Sequence, residues 1–380
     1  MSFHSLPPEL QEAIVLDATR STSLSLCLTS KAALRVARPL LFRRISLNFS
    51  SRNAVGLFAR EEGRKDGWYP EWLEMEVSKE EREAAEEIAR TQRVKLYEVL
   101  KAHPEWCSHV EDLEINLEPE TSIGGGETAR LFSSFSNLRR LEIASEGPKA
   151  PDDETCAFLV EGSCPTVSIL DLSQSYLPRL TIYRLIEKLP LLRWLALGPE
   201  GTSTSSPAHS ATLQSHLPNL RALELWGKVE DRTLFSEIAT AAPSLASLQV
   251  DFNSLSALEP SLLSPVPQLL IAGTLYPIGT GGSRPMQELL DLTQKIVTVV
   301  DGCTSLELLQ LVEHGSFLRQ FGNPFFGHVV LEHLPRSLRE LYIDWIEFTT
   351  PALIRLFAAN IKTQLPNLRS DRCKLSVSLW

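Results

Sequence analysis

A chain of 380 residues with 43% apolar and 22% charged positions is too long for a small stapled fold and too apolar for disorder, so it must build several cores or one elongated repeated one. Forty-seven acidic against thirty-seven basic side chains give a net charge of −10, the wrong sign for gripping phosphate backbones, and no nucleic-acid partner is expected. Leucine fills 63 positions, an excess that points to internal repeats.

The first fifty residues read as short helical segments. Leu6 and Pro7 stand at a helix start, Leu10 and Ile14 share a face at i and i+4, and Leu24 and Leu28 repeat that spacing. A unit this small must bury its apolar faces against a partner or against the rest of the chain. No basic and apolar leader of the secretory kind opens the sequence. Six cysteines (Cys27, Cys107, Cys156, Cys164, Cys303, Cys373) are scattered without CxxC spacing, so a reducing compartment, cytoplasmic and/or nuclear, is expected rather than a disulfide framework or zinc knuckle.

Residues 48–108 read as an insertion and a connecting helix. Trp68, Tyr69 and Trp72 lie among charges, and Ser78 followed three residues later by Glu81 makes a capping box. Glu80, Glu81 and Glu83 suit the helix dipole, and the charge run through Glu87 reads as a solvated face.

From residue 109 the pattern apolar-x-x-Leu-x-apolar recurs nine times, centred on Leu113, Leu141, Leu170, Leu195, Leu223, Leu248, Leu269, Leu309 and Leu341. A tenth unit starts at Leu368 but has Asp371 where leucine belongs, and is expected to be a frayed cap. Each Leu-x-apolar step is a short strand with two side chains on one face, which only stacking in parallel can bury. Amphipathic stretches over 178–189 and 231–239 supply returning helices. Pro165, Pro190, Pro218, Pro243, Pro335 and Pro366 stop the chain from extending a helix into the next strand. The uncharged window 260–283, broken by Pro265, Pro267 and Pro277, is a buried strand and loop rather than a membrane span. The fold class predicted is α/β: a leucine-rich-repeat horseshoe over 109–380, with a curved parallel sheet and outer helices, preceded by a small all-helical unit. It should be uneven, because the asparagines of regular repeats are mostly missing.

The N-terminal residues carry a resemblance. Leu6-Pro7-x-Glu9-Leu10-x3-Ile14, Leu24-x-Leu26-x-Leu28-x-Ser30-Lys31 and Ala37-Arg38-Pro39-Leu40-Leu41-Phe42 resemble an F-box, the adaptor-binding module of cullin-RING ubiquitin ligases, over residues 1–47. Ala18, Thr22 and Ser23 depart from its usual residues. With the repeats that follow, the chain is similar to fungal F-box/leucine-rich-repeat proteins. The resemblance implies a non-catalytic substrate receptor of an SCF-type ligase. Leu6, Pro7, Leu10, Ile14, Leu24 and Leu28 would hold the Skp adaptor and, through it, a cullin, while the repeats hold a protein target. The other reading is a repeat scaffold that acts outside a ubiquitin ligase.

Alternation places Asp112, Glu114, Arg140, Glu142, Asp171, Trp194, Glu224, Trp226, Asp251, Glu340, Tyr342 and Asp344 on the open concave face, eight acids against one base. A target with a basic segment is therefore expected at Trp194, Glu224, Trp226, Asp251, Tyr342 and Asp344, with the two tryptophans in one column. Single-sign charge attracts, and aromatic rings anchor. His103, Cys107 and His109 lack a fourth ligand for a metal. Gly124-Gly125-Gly126 and Gly279-Thr280-Gly281-Gly282 lack the Lys-Ser/Thr ending of a phosphate loop. No catalytic site, cofactor, metal or membrane partner is expected.

Overall fold

The computed structural model describes residues 6–7, 10–11, 14, 25, 31–47, 79–116, 134–145, 153–162, 164–198, 213, 216–227, 232–273, 284–313, 332–347, 361 and 363–378. It divides into two compact units, Met1–Leu170 and Asp171–Trp380. The border falls inside a repeat strand.

In the first unit, α1 (Lys31–Phe42) runs almost directly into β1 (Arg44–Leu47). Its small residues Ala33 and Ala37 are fully buried, which allows close approach of the helix backbone. The last turns of α2 (Lys79–Ala102) bury Tyr97 and Leu100, while Ser78 of the expected capping box lies outside the described residues. The short α3 (Pro104–Cys107) begins on a proline, whose missing N–H costs nothing at a helix start. Then come β2 (Asp112–Asn116), β3 (Arg140–Ala144), α4 (Asp153–Glu161) and β4 (Ile169–Leu172). β1, β2 and β3 pair in parallel with Ile45, Leu113 and Leu141 in one buried row.

The second unit takes up the end of β4 and continues with α5 (Arg179–Glu187), β5 (Trp194–Leu197), β6 (Ala222–Leu225), α6 (Arg232–Ala241), β7 (Ser247–Asp251), β8 (Gln268–Gly273), α7 (Arg284–Gly302), β9 (Leu308–Glu313), β10 (Glu340–Glu347) and β11 (Cys373–Ser378). β5 to β11 pair in parallel in chain order. Leu195, Leu223, Leu248, Leu269, Leu309 and Leu341 stand in register and are each 0% exposed. The next inward row, from Leu197 through Leu225, Val250, Ile271 and Leu311 to Ile343, is buried as well. The strands of this unit form an open, uncurled sheet and not the curved horseshoe sheet expected. Among the described residues no helix joins β5 to β6; α5 and α6 lie on either side of that connection.

The last unit also differs from expectation. The tenth unit is a complete six-residue strand, β11, and Cys373, not Asp371, pairs with Leu341. A 3-10 turn at Ser370–Arg372 inserts two residues ahead of the strand and resets its register. Short polar side chains also act at the turns ahead of several strands. In five repeats the side chain just before the opening buried residue donates to the preceding repeat's backbone. Asn137 Nδ2 reaches Ser108 O at 2.7 Å and Thr166 Oγ1 reaches Leu138 O at 2.8 Å. In the second unit Asn219 Nδ2 reaches Pro190 O at 3.0 Å, Ser337 Oγ reaches Leu306 O at 2.7 Å and Asn367 Nδ2 reaches Arg336 O at 2.9 Å. Such bonds satisfy carbonyls that the parallel ladder leaves open at the turns.

Candidate functional site

Two surfaces carry exposed side chains with recognition chemistry, one in each unit. In the first, Leu10, Gln11 and Ile14 are helical, and the Leu10 and Gln11 amides both donate to Pro7 O at 3.0 and 3.1 Å. Gln11 is turned inward, its Nε2 donating to Leu6 O at 2.7 Å. Leu10 and Ile14 point the other way and are 52% and 43% exposed. Leu6 is half-buried and Pro7 exposed, while Leu24 and Leu28 lie outside the described residues.

Behind this segment, Trp106 of α3 gathers three groups that sequence reasoning missed. The His103 ring stacks on it at 4.2 Å, Phe42 tilts against it at 4.9 Å and the Arg38 guanidinium sits 4.7 Å over its face. Its indole Nε1 is buried without a hydrogen-bond partner. Trp106 thus fixes the end of α1 to the first repeats. His103 Nδ1 also meets Glu105 Oε1 at 3.2 Å, and neighbouring Cys107 is buried with its thiol pushed up to about 11 by that burial. Among the described residues no group of three histidine, cysteine or carboxylate side chains is placed to hold a metal ion, and no helix is long and apolar enough to cross a membrane.

The open face of the first unit is less acidic than its own columns suggest. Asp112 lies 3.4 Å from Arg44 and 3.9 Å from Arg140, and Arg140 pairs with Glu142 at 3.0 Å. Arg44, on β1, sits one strand before the counted repeats.

In the second unit, register separates the two tryptophans. Trp194 pairs with Ala222, whereas Trp226 follows Glu224 by two residues, so they occupy the columns on either side of Glu224 and not one column. Their indoles converge on that carboxylate: Trp194 Nε1 donates to Oε1 at 3.0 Å and Trp226 Nε1 to Oε2 at 2.8 Å. All three side chains are half-buried. β5 leaves room beside them, since Ala196, the register partner of Glu224, is small and fully covered. A side chain at Gly198 would collide with Ser173 O at 2.5 Å.

The remaining predicted positions serve other duties. Asp251 is 8% exposed, and its Oδ1 accepts the Asn253 amide and side-chain amide, each at 2.8 Å, capping the 3-10 helix Phe252–Ala257. Asp171 accepts Ser173 N and Oγ in a similar turn. Tyr342 is half-buried with its hydroxyl 3.5 Å from Glu340, and Asp344 lies in β10.

On the helical side, Arg179 donates Nε to the Tyr183 hydroxyl at 2.9 Å, Nη1 to Thr233 Oγ1 and Nη2 to Glu237 Oε1 at 3.1 Å. Glu237 Oε2 accepts the Leu213 amide at 3.0 Å. Burial opposes ionisation of Glu237, but bonds from Tyr183 and Leu213 and the Arg179 charge outweigh it and hold the carboxyl below its ordinary range. Burial pushes the Tyr183 hydroxyl well up. This network bridges α5 and α6 where no described helix lies between them.

No family model matches the chain, and no curated protein matches it. Among solved structures it is similar to the leucine-rich repeat-containing protein LegL7 from Legionella pneumophila, at 15% identity and a TM-score of 0.36, covering 75% of this chain and 80% of that one.

Proposed function

We propose that this chain is a non-catalytic leucine-rich-repeat scaffold for protein binding and, more specifically, the substrate receptor of an SCF-type ubiquitin ligase. On this reading the N-terminal helices hold a Skp adaptor, and through it a cullin, in the cytoplasm or nucleus. The open face of the repeats holds a protein target, and ubiquitin transfer is carried out by an enzyme bound elsewhere.

The observation that carries the adaptor half is the outward pair Leu10 and Ile14. Two large aliphatic side chains one helical turn apart are left in water, while Gln11 between them is turned in. An apolar pair so placed gains most by burial against a partner. Trp106, against Phe42 and under Arg38, ties the helix that follows this segment to α3.

The test is co-precipitation of the Skp adaptor and cullin with the Leu10→Ala/Ile14→Ala variant. Loss of two anchors at an interface centre is expected to abolish capture, at about 2 kcal/mol or more each, with an unchanged melting temperature. Undiminished capture would refute the adaptor reading and leave the scaffold reading standing.

A further inference from the structure

We infer that the rim of the second unit's sheet, at the turns leading into β5 and β6, docks an acidic segment of a partner protein. Arg193 and Arg221 hold its carboxylate, and Leu191 seats an aliphatic side chain beside it. The inference rests on the scaffold reading above and goes beyond it by assigning a second surface, apart from the open face.

Charge is segregated on this rim. The chain as a whole has a net charge of −10. Yet the turns 190–193, 218–221, 243–246, 264–267, 304–307, 336–339 and 366–369 carry five arginines, all exposed, and one acid, Glu307. Arg193, Arg221, Arg339 and Arg369 share one column. The Arg221 amide donates to Arg193 O at 2.8 Å and the Arg369 amide to Arg339 O at 3.0 Å, each between adjacent strands. Glu307 answers Arg339 at 3.5 Å. At β5 and β6 no acid among the described residues answers the pair: Arg221 Nη1 donates to a neutral carbonyl, Ser244 O, at 3.3 Å, and the Arg193 guanidinium has no hydrogen bond or ion pair there. Two like charges one strand spacing apart, about 4.8 Å, disfavour each other. A carboxylate bridging the two guanidinium forks relieves that repulsion and makes charge-assisted bonds at once.

Leu191 points to the same place by an independent route. In this unit the position two before the arginine column holds a short donor to the preceding repeat at Asn219, Ser337 and Asn367. Leu191 stands there with 50% of its surface exposed, so it neither makes the polar bond nor enters the core. A large aliphatic side chain left in water where the pattern supplies a donor gains by burial against a partner. Leu191 and Arg193 flank the buried Leu192. An extended segment therefore meets them with an aliphatic residue and an acid two positions apart, on one of its faces. Nucleic acid would satisfy the arginines but leave Leu191 in water, so the partner is a protein segment.

The probes are two fluorescein-labelled heptapeptides, with central Leu-Ser-Glu and Glu-Ser-Leu, read by anisotropy on the full chain up to about 1 mM. The tighter binder should lose about tenfold or more when glutamine replaces its glutamate, and a similar factor on the Arg193→Gln/Arg221→Gln variant. Alanine for the peptide leucine, or Leu191→Asn in the protein, should cost about threefold or more. Leu191→Asn restores the residue type found at Asn219, so its melting temperature should equal or exceed that of the wild type. Affinity should fall as salt rises from about 50 to 300 mM.

No binding of either peptide, equal binding of the glutamate and glutamine forms, or unaltered binding to the arginine variant would overturn the inference. So would tighter capture of phosphatidylserine vesicles or of a single-stranded oligonucleotide than of either peptide, with the same dependence on both arginines. A decapeptide display selection on the wild type and on the arginine variant separates this failure from that of the scaffold reading. Identical selected pools would sink the rim alone, whereas selections that enrich nothing would sink both.

Discussion

Leu223 and Glu224 are neighbours in one strand and belong to opposite faces, so replacing each by alanine tests the repeat register directly. Leu223 is 0% exposed and lies in register between Leu195 and Leu248, each also 0% exposed. A leucine held between leucines of strands on either side leaves a cavity that cannot collapse from one side, so Leu223→Ala should cost about 3–5 kcal/mol. Alternation alone would make Glu224→Ala nearly neutral. The structure raises that figure, because two indole donors lose their shared acceptor; at a half-buried site where water can partly replace it, about 1–2 kcal/mol is expected. Urea titration of the full chain, followed by far-UV circular dichroism and tryptophan fluorescence, measures both; the two probes also show whether the repeats unfold together. Equal losses from the two variants would mean that the face is inverted. A loss below about 1 kcal/mol at Leu223 would remove the leucine row from the core.

Three further expectations follow from particular contacts. Because the folded Glu237 carboxyl titrates below its ordinary value of 4.5, the unfolded chain binds more protons in between, and the network's stability is present above that pH and lost as pH falls through the folded value. Glu237→Gln should therefore destabilise by about 1–2 kcal/mol at pH 7, and its melting-temperature deficit should close in acid; a deficit undiminished at about pH 3 would deny the carboxylate this role. Gly273 has φ +145°, and an added Cβ would meet Asp251 Oδ2 at 2.5 Å, so Gly273→Ala should cost about 2 kcal/mol or more through backbone and cap together, with a melting temperature equal to wild type counting against the cap. Burial pushes the Cys164 thiol up to about 11 and the Cys303 thiol to about 12. At pH 8 about one in a thousand or fewer of these thiols is ionised. Iodoacetamide followed by mass spectrometry should label both at least about a hundredfold more slowly in the native protein than in urea, and comparable rates would show that the core opens there.

Much of the repeat architecture was legible because its signal is redundant. A leucine that must face inward at Leu195 must do so again at Leu223, Leu248 and Leu269, so a slip in any one unit is corrected by the others. Where that redundancy stops, sequence reading errs. In the last unit the pattern positions favour Asp371, but the Ser370–Arg372 turn moves the paired residue to Cys373. The polar ladder was overlooked for a related reason. A search for asparagine alone finds Asn137, Asn219 and Asn367, yet a hydroxyl can reach the same carbonyls, so Thr166 and Ser337 belong to the same series. The useful signal was a short side-chain donor at the position before the buried residue that opens a repeat, a signal that Leu191 and Pro265 interrupt.

Charge counting along columns was a poorer guide to the surface than contacts between columns. Alternation decides which face a residue takes, and it placed Glu224, Trp194 and Trp226 together on one face. It cannot tell a carboxylate that bridges strands from one that holds a turn. Asp251 and Asp171 each accept from the residue two positions on, and the short Asx-type spacing Asp251-Phe252-Asn253 was readable as a cap before any surface role. Glu224 differs because its partners come from two columns and two strands, a relation that appears only once Trp194 is seen opposite Ala222. Reversing Glu224 would remove the acceptor that orients both indoles, whereas reversing Asp251 would first break a turn.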